Sequence, residues 1–262
     1  MNMKMRNAAV LTAMVVLAFG CRRDTKIDVL APEVSLITVN GLDTTVVEVM
    51  AGDTLDILVA LTDNDALDEM RVVIHASENG HTHAGSGYTG GEYSLNSGNW
   101  IKEEIVQLPR TQTANNEQVQ AIVPDTIAGN WHLVVTAIDR VGNISGEYVV
   151  LIKVSNDDLP SIEGTTSPAP SSDGIVYLSS GNTLSLDGVV SDADGVQSIR
   201  AYSIINGLVG EVTNIAMAGT PLIHTFLGVT FDDADAGTYR VVIEATDTEG
   251  KLRLWDRRVV VQ

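Results

Sequence analysis

Three of the five histidines in the chain fall within nine residues. They are His75, His81 and His83 of Val72-Val-Ile-His75-Ala-Ser-Glu78-Asn-Gly-His81-Thr-His83. A fourth, His132, lies far away in sequence, in Gly129-Asn-Trp-His132. Neutral imidazole is a ligand for Zn²⁺, with Cu²⁺ and Ni²⁺ as competitors, and the absence of Cys and Met from this segment argues against Cu⁺. Three or four histidines in tetrahedral array would hold such an ion without a thiol or disulfide. Glu78 is a carboxylate within reach of the same cluster, as a ligand or as an acceptor behind one. Affinity would weaken below about pH 6.5, where protons compete for the imidazoles.

Such a site needs elements that bring residues 75 and 132 together. Period-two alternation runs through Thr54–Leu61 and Tyr148–Val154, and no long stretch has a helical apolar period, so the chain reads as all-β. On the strand ending at His75, Met70, Val72 and Ile74 form the inward face, leaving Arg71, Val73 and His75 outward. On the strand containing His132, Trp131, Leu133 and Val135 point inward, so His132 and Val134 point outward. If the two strands are antiparallel neighbours, partners that share a face have residue numbers with an odd sum, and the nearest such register, 207, pairs His75 with His132 and Val73 with Val134. Directly opposed side chains have Cβ atoms roughly 4.5–5.5 Å apart, close enough to share one ion.

An internal repeat supplies those neighbours. Gly52-Asp-Thr-Leu…Met70-Arg71 aligns with Gly181-Asn-Thr-Leu…Ile199-Arg200 at an offset of 181 − 52 = 129. Ala128-Gly-Asn-Trp131 aligns with Ala236-Gly-Thr-Tyr239 at an offset of 236 − 128 = 108. The second motif, Asp235-Ala-Gly-Thr-Tyr239, looks like the tyrosine corner of immunoglobulin-like sandwiches, with Trp131 in the same place in the first copy. The expectation is therefore two tandem immunoglobulin-like β-sandwiches, residues 32–155 and 173–262, joined by a polar linker over 156–172. The two offsets differ by 129 − 108 = 21, so the first copy carries 21 residues that its sister lacks, and the histidine-rich segment lies within them. Loop insertions on a rigid scaffold are where function is usually placed. The sister has Ile204 and Arg240 where the first copy has His75 and His132, which makes it an internal control.

The beginning of the chain carries an address. Lys4 and Arg6 precede an apolar stretch of 12 residues, Ala8–Phe19, too short to span a bilayer, and residues 1–20 read as a secretory signal peptide. The only cysteine, Cys21, follows at once, which resembles a bacterial lipobox with Ala18 where Leu or Val is usual. Residues 21–31 would then be the lipidated cysteine and its tether, holding the protein to a membrane it does not span. Without residues 1–20 the chain has 14 Lys plus Arg against 34 Asp plus Glu, a net charge of −20, so phosphate backbones would repel it and nucleic acid is not an expected partner.

Other chemistry is poorly represented. Asp63, Asp65 and Asp139 gather at one loop end of the first copy, and Asp192, Asp194 and Asp247 do so in the second. They are weak calcium candidates, because Asx residues are ordinary turn formers and recur here in both copies. No Gly-x-Ser-x-Gly elbow, phosphate loop or His-Glu-x-x-His helix is present, so an enzyme is not expected. Trp100, Tyr88 and Tyr93 near the insertion would either form a glycan platform or pin the loop to the sheet. His224 lies in an alternating strand and reads as structural.

The pattern Asn64-Asp-Ala-Leu…Ile74-His75…Gly80-His81-Thr-His83, followed by Gly129-Asn-Trp-His132 and Asp139-Arg-Val-Gly-Asn143, resembles the Bacteroidetes lipoprotein domains known as domain of unknown function 4625. That resemblance covers roughly residues 32–154 and implies an immunoglobulin-like fold in an exported, lipid-anchored setting; it implies no activity. The second copy looks like a generic immunoglobulin-like or PKD-like module. Two readings follow. In one, the first domain binds a transition metal through His75, His81, His83 and His132. In the other, the tandem is an adhesin or accessory subunit of an outer-membrane complex and the histidines belong to a contact surface or roof apolar residues of the sheet.

Overall fold

The computed structural model describes residues 28–77, 96–205, 208–232 and 236–262; the segments with period-two alternation are strands there, and no helix occurs among the described residues. The first sandwich contains β1 (Glu33–Val39), β2 (Leu42–Asp43), β3 (Val46–Met50), β4 (Thr54–Thr62), β5 (Leu67–Ala76), β6 (Lys102–Gln107), β7 (Ala114–Ile122), β8 (Gly129–Asp139) and β9 (Tyr148–Ser155). One sheet runs β2-β1-β4-β7, the other β3-β9-β8-β5-β6. In β4 the residues Leu55, Ile57, Val59 and Leu61 are buried while Thr54, Asp56 and Leu58 face out. They meet Met70, Val72, Ile74, Trp131, Leu133, Val135, Val150 and Ile152 of the facing sheet in one continuous core. Each such aliphatic side chain is worth about 1.5–3 kcal/mol by burial, which is what holds two sheets of mostly polar outer face together.

The second sandwich repeats the plan with β10 (Ser161–Ser167), β11 (Val176–Leu178), β12 (Thr183–Ser191), β13 (Val196–Ile205), β14 (Leu208–Ile215), β15 (Ile223–Asp232), β16 (Gly237–Asp247) and β17 (Leu252–Val261). Its sheets are β10-β12-β15 and β11-β17-β16-β13-β14. In both copies a short strand, β3 or β11, runs parallel to the last strand of its domain. The topology is that of tandem immunoglobulin-like sandwiches.

The repeat offsets reappear as strand starts: β12 and β13 begin 129 residues after β4 and β5, and β16 begins 108 after β8. The extra residues of the first domain lie between β5 and β6, which are separated by residues 77–101. The equivalent strands β13 and β14 are separated only by 206–207.

The expected linker, 156–172, is shorter than its composition implied. Residues 161–167 form β10 and pair with β12 from Ser161↔Ser191 to Ser167↔Ser185, so the second domain starts at 161 rather than 173. A run of Ser, Thr and Gly reads as linker because it lacks a clear apolar face, yet its backbone can still complete a sheet edge. The five residues left are anchored. Asn156 donates from Nδ2 to the carbonyls of Asp125 (2.7 Å) and Ile127 (3.1 Å) and accepts at Oδ1 from the Asp158 N–H. Leu159 is buried. On the other side of the joint, the Leu254 N–H of β17 donates to Ser97 Oγ at 3.0 Å.

Candidate functional site

β5 and β8 pair antiparallel in the register expected from their faces, with Val73 opposite Val134 and His75 opposite His132. The two imidazoles stand edge to face, their centroids 5.6 Å apart and their planes at 85°. His75 is half-buried, and His132 is only 2% exposed although it points away from the core. Val134, Val149 and Leu151 on the same outer face are also buried.

The tautomer of His75 follows from its surroundings. Its Nδ1 lies 2.9 Å from the Ala76 carbonyl, and a carbonyl oxygen can only accept, so Nδ1 carries the proton in that contact. In the neutral ring Nε2 is then the nitrogen with the lone pair. A backbone acceptor on the far nitrogen is the usual way in which a ligating histidine is oriented. Glu103 lies on the same outer face, opposite Val73, but its carboxylate is engaged by Arg71, whose Nε donates to Oε1 at 2.7 Å. The sister sheet pairs Ile204 with Arg240 in this register, and Arg240 lies 3.4 Å from Asp256.

Of the other proposed site residues, His81, His83 and Glu78 lie outside the described residues, as do Tyr88, Tyr93 and Cys21. Trp100 is buried, packed edge-on against Trp131 at 5.9 Å, so it pins the end of the insertion to the core and offers no open platform.

The base of the insertion contains residues that the sequence did not single out. Ser77, which follows β5, donates to the Asn130 carbonyl from its N–H at 3.1 Å and from Oγ at 3.0 Å. Asn96, at the other end, donates from Nδ2 to the same carbonyl (2.5 Å) and accepts at Oδ1 from the Asn130 N–H (2.7 Å). Ser97 pairs with Ala128 as an isolated bridge. Gly129 turns the chain into β8 with φ +121°, and a Cβ there would lie 2.3 Å from Asn96 Oδ1. Ser77 and Asn96 therefore close on the backbone of Asn130, Ser77 lying two residues beyond His75 and Asn130 two residues before His132.

The acidic residues behave as turn formers. Asp139 is buried at the end of β8. Its Oδ1 accepts from the N–H groups of Val141, Gly142 and Asn143 at 2.7–2.9 Å, and its Oδ2 from Asn143 Nδ2 at 2.6 Å. Asp247 occupies the same hairpin position in the second domain and accepts from the Lys251 N–H. Asp63 accepts from the Asp65 N–H, Asp65 pairs with Arg140 at 2.6 Å, and carboxylate oxygens of Asp63 and Asp139 come within 4.8 Å of each other.

Burial alone would raise the Asp139 pKa, but the hydrogen bonds from Asn143, Gly142 and Val141 outweigh it and hold the carboxyl below the usual carboxylate range. A depressed folded-state pKa contributes stability above the unfolded value, about 3.9, that is lost as pH falls through the folded one. Asp139→Ala is therefore expected to cost about 3 kcal/mol at pH 7 by stranding these donors. Urea denaturation as a function of pH should show the gap from wild type narrowing below about pH 4.

A family model described as a domain of unknown function, DUF4625, matches residues 19–155. No curated protein matches the sequence. Among solved structures, the fibronectin(III)-like modules of CbhA from Clostridium thermocellum are 14% identical over 87% of this chain and 94% of that one, with a TM-score of 0.27. Tandem immunoglobulin domains of titin are 13% identical over 88% of this chain and 97% of that one, with a TM-score of 0.25. Dimeric latent PorU from Porphyromonas gingivalis is 12% identical over 88% of this chain and 24% of that one, with a TM-score of 0.31.

Proposed function

This chain belongs to the family of the domain of unknown function DUF4625, and from that premise we propose that it is an exported binding protein whose first domain holds a Zn²⁺-like transition metal. The ligands are His75 and His132 on adjacent strands with His81 and His83 from the insertion, and Glu78 is an acceptor behind them. The observation that supports this reading most directly is the cross-strand histidine pair, one ring of which is already oriented by a backbone carbonyl. Cu²⁺ and Ni²⁺ are the competing ions. In this proposal the protein is a binding module with no catalytic role, attached to the outer membrane through lipid on Cys21.

Metal content of the purified chain, expressed from residue 22 onward, tests the first part. One equivalent of zinc is expected after dialysis, and a hundredfold excess over the dissociation constant should stabilise the first domain by about 2.7 kcal/mol. A chain that retains no metal and unfolds identically with and without zinc would exclude the site. For the anchor, Cys21→Ser should move the full-length protein from the membrane to the soluble fraction.

The second reading, an adhesin or accessory subunit of an outer-membrane complex, is favoured by one observation. The strand β14, at the edge of its sheet among the described residues, exposes Leu208, Val209 and Val212, with Ile205 beside them at the end of β13. Such an apolar edge is a template for an added strand from a partner. Retention of a membrane partner by a chain lacking all four histidines would support this reading over the metal site.

A further inference from the structure

We propose that Asn96 is a positioning residue of the histidine site, acting through the backbone of Asn130. The inference deepens the metal-binding reading and rests on it. β5 stops at Ala76, and just beyond it the Ser77 N–H still reaches the Asn130 carbonyl at 3.1 Å, but the Asn130 N–H is met by the Asn96 side chain and not by the β5 backbone. The Asn96 amide takes the place of a strand there: its oxygen meets the Asn130 N–H and its nitrogen the Asn130 carbonyl. Ser77 reinforces the same carbonyl from the β5 side. All three side chains are buried, and Asn96 itself is 2% exposed. In such surroundings these hydrogen bonds are strong, and losing one leaves a stranded polar group.

The placement gives the clasp its function. Ser77 is two residues beyond His75, and Asn130 is two residues before His132, so the clasp closes the ladder immediately beside the pair. With it made, the backbone that carries His132 has one course. Gly129 belongs to the same device. Its counterpart in the second domain, Gly237, has open space where a Cβ would go, whereas at Gly129 the space is taken by Asn96. The sister, with no insertion to close, needs no such glycine.

The test compares wild type, Asn96→Ala and Gly129→Ala in the full mature chain. Asn96→Ala removes the clasp directly; Gly129→Ala displaces it by driving a Cβ into the amide oxygen. Ser97→Ala, which alters the neighbouring bond to Leu254 and leaves the clasp intact, is the control. Zinc affinity is read by titration calorimetry on the folded fraction, and ligand geometry by the visible spectrum of the Co²⁺-loaded protein. Both clasp variants should bind zinc tenfold to a hundredfold more weakly, as is usual when groups that orient ligands are lost. Their Co²⁺ bands should shift, while Ser97→Ala matches wild type. Clasp variants with wild-type affinity and an unchanged Co²⁺ spectrum would confine Asn96 to a structural role and overturn the inference alone. A wild-type chain that binds neither ion would overturn the metal site, and this inference with it.

Discussion

Trp131→Ala is expected to remove about 3–5 kcal/mol from the stability of the first domain. The ring is fully buried, lies between Ala76 of β5 and Ile152 of β9, and meets Trp100 edge-on. Its removal opens a cavity in a core shared by both sheets. An opposing effect is present, since the indole N–H is buried and meets no acceptor among the described residues, at a cost of about 1–3 kcal/mol. Trp131→Phe deletes that stranded group along with part of the ring volume, so the two effects nearly offset and the loss should be about 1 kcal/mol or less. Cavity formation dominates for Ala; the polar group decides for Phe. Urea denaturation of the full chain, following the transition that shifts, distinguishes them. A Trp131→Ala chain within 1 kcal/mol of wild type would contradict the packing described for β8.

The histidine pair was legible because strand faces and register obey simple parity. Once Met70, Val72 and Ile74 shared a face with Trp131, Leu133 and Val135, residues 75 and 132 shared the other, and the nearest register that keeps this parity sets them opposite each other. The repeat was legible for a similar reason, since its offsets depend on residues that every sandwich of this type must bury or turn with. The base of the insertion was not. Asn96 and Ser77 act through single side chains on the backbone of a residue far away in sequence, and no spacing rule connects 96 with 130. The glycine shared by Gly129 and Gly237 looks like one feature of a repeated motif, yet of the two only Gly129 has a positive φ and a crowded Cβ position. The linker failed for a third reason. β10 contributes Ile162 to the second core but is otherwise polar or small, so its strand character comes from backbone pairing that composition does not report.

Loss of one imidazole from the proposed site should weaken zinc binding by about 10²–10³-fold. Structural zinc sites bind with about 10–16 kcal/mol at neutral pH. Shared among four ligands, that is about 2.5–4 kcal/mol each, or two to three decades in dissociation constant. His75→Ala is the cleaner variant, because the side chain is half-buried and leaves little cavity. Ile is an alternative at this position, since the sister strand carries Ile204 in the same register. His132→Ala should weaken binding equally and also destabilise the apo domain, its ring being almost wholly buried. His132→Arg, the other half of the sister pair, should be worse still. Arg240 has Asp256 nearby, and register places Val149 where Asp256 stands, so an arginine at 132 would be a buried cation facing a methyl group. His224→Ala, in the second domain, should leave affinity unchanged. Titration calorimetry on each folded variant gives the comparison. In the proposed site His75→Ala separates affinity from stability, because zinc binding falls by orders of magnitude while the apo unfolding curve barely moves. Equal zinc affinity in wild type, His75→Ala and His132→Ala would assign any metal bound by the chain to other residues and leave the histidine pair with the packing of the outer face alone.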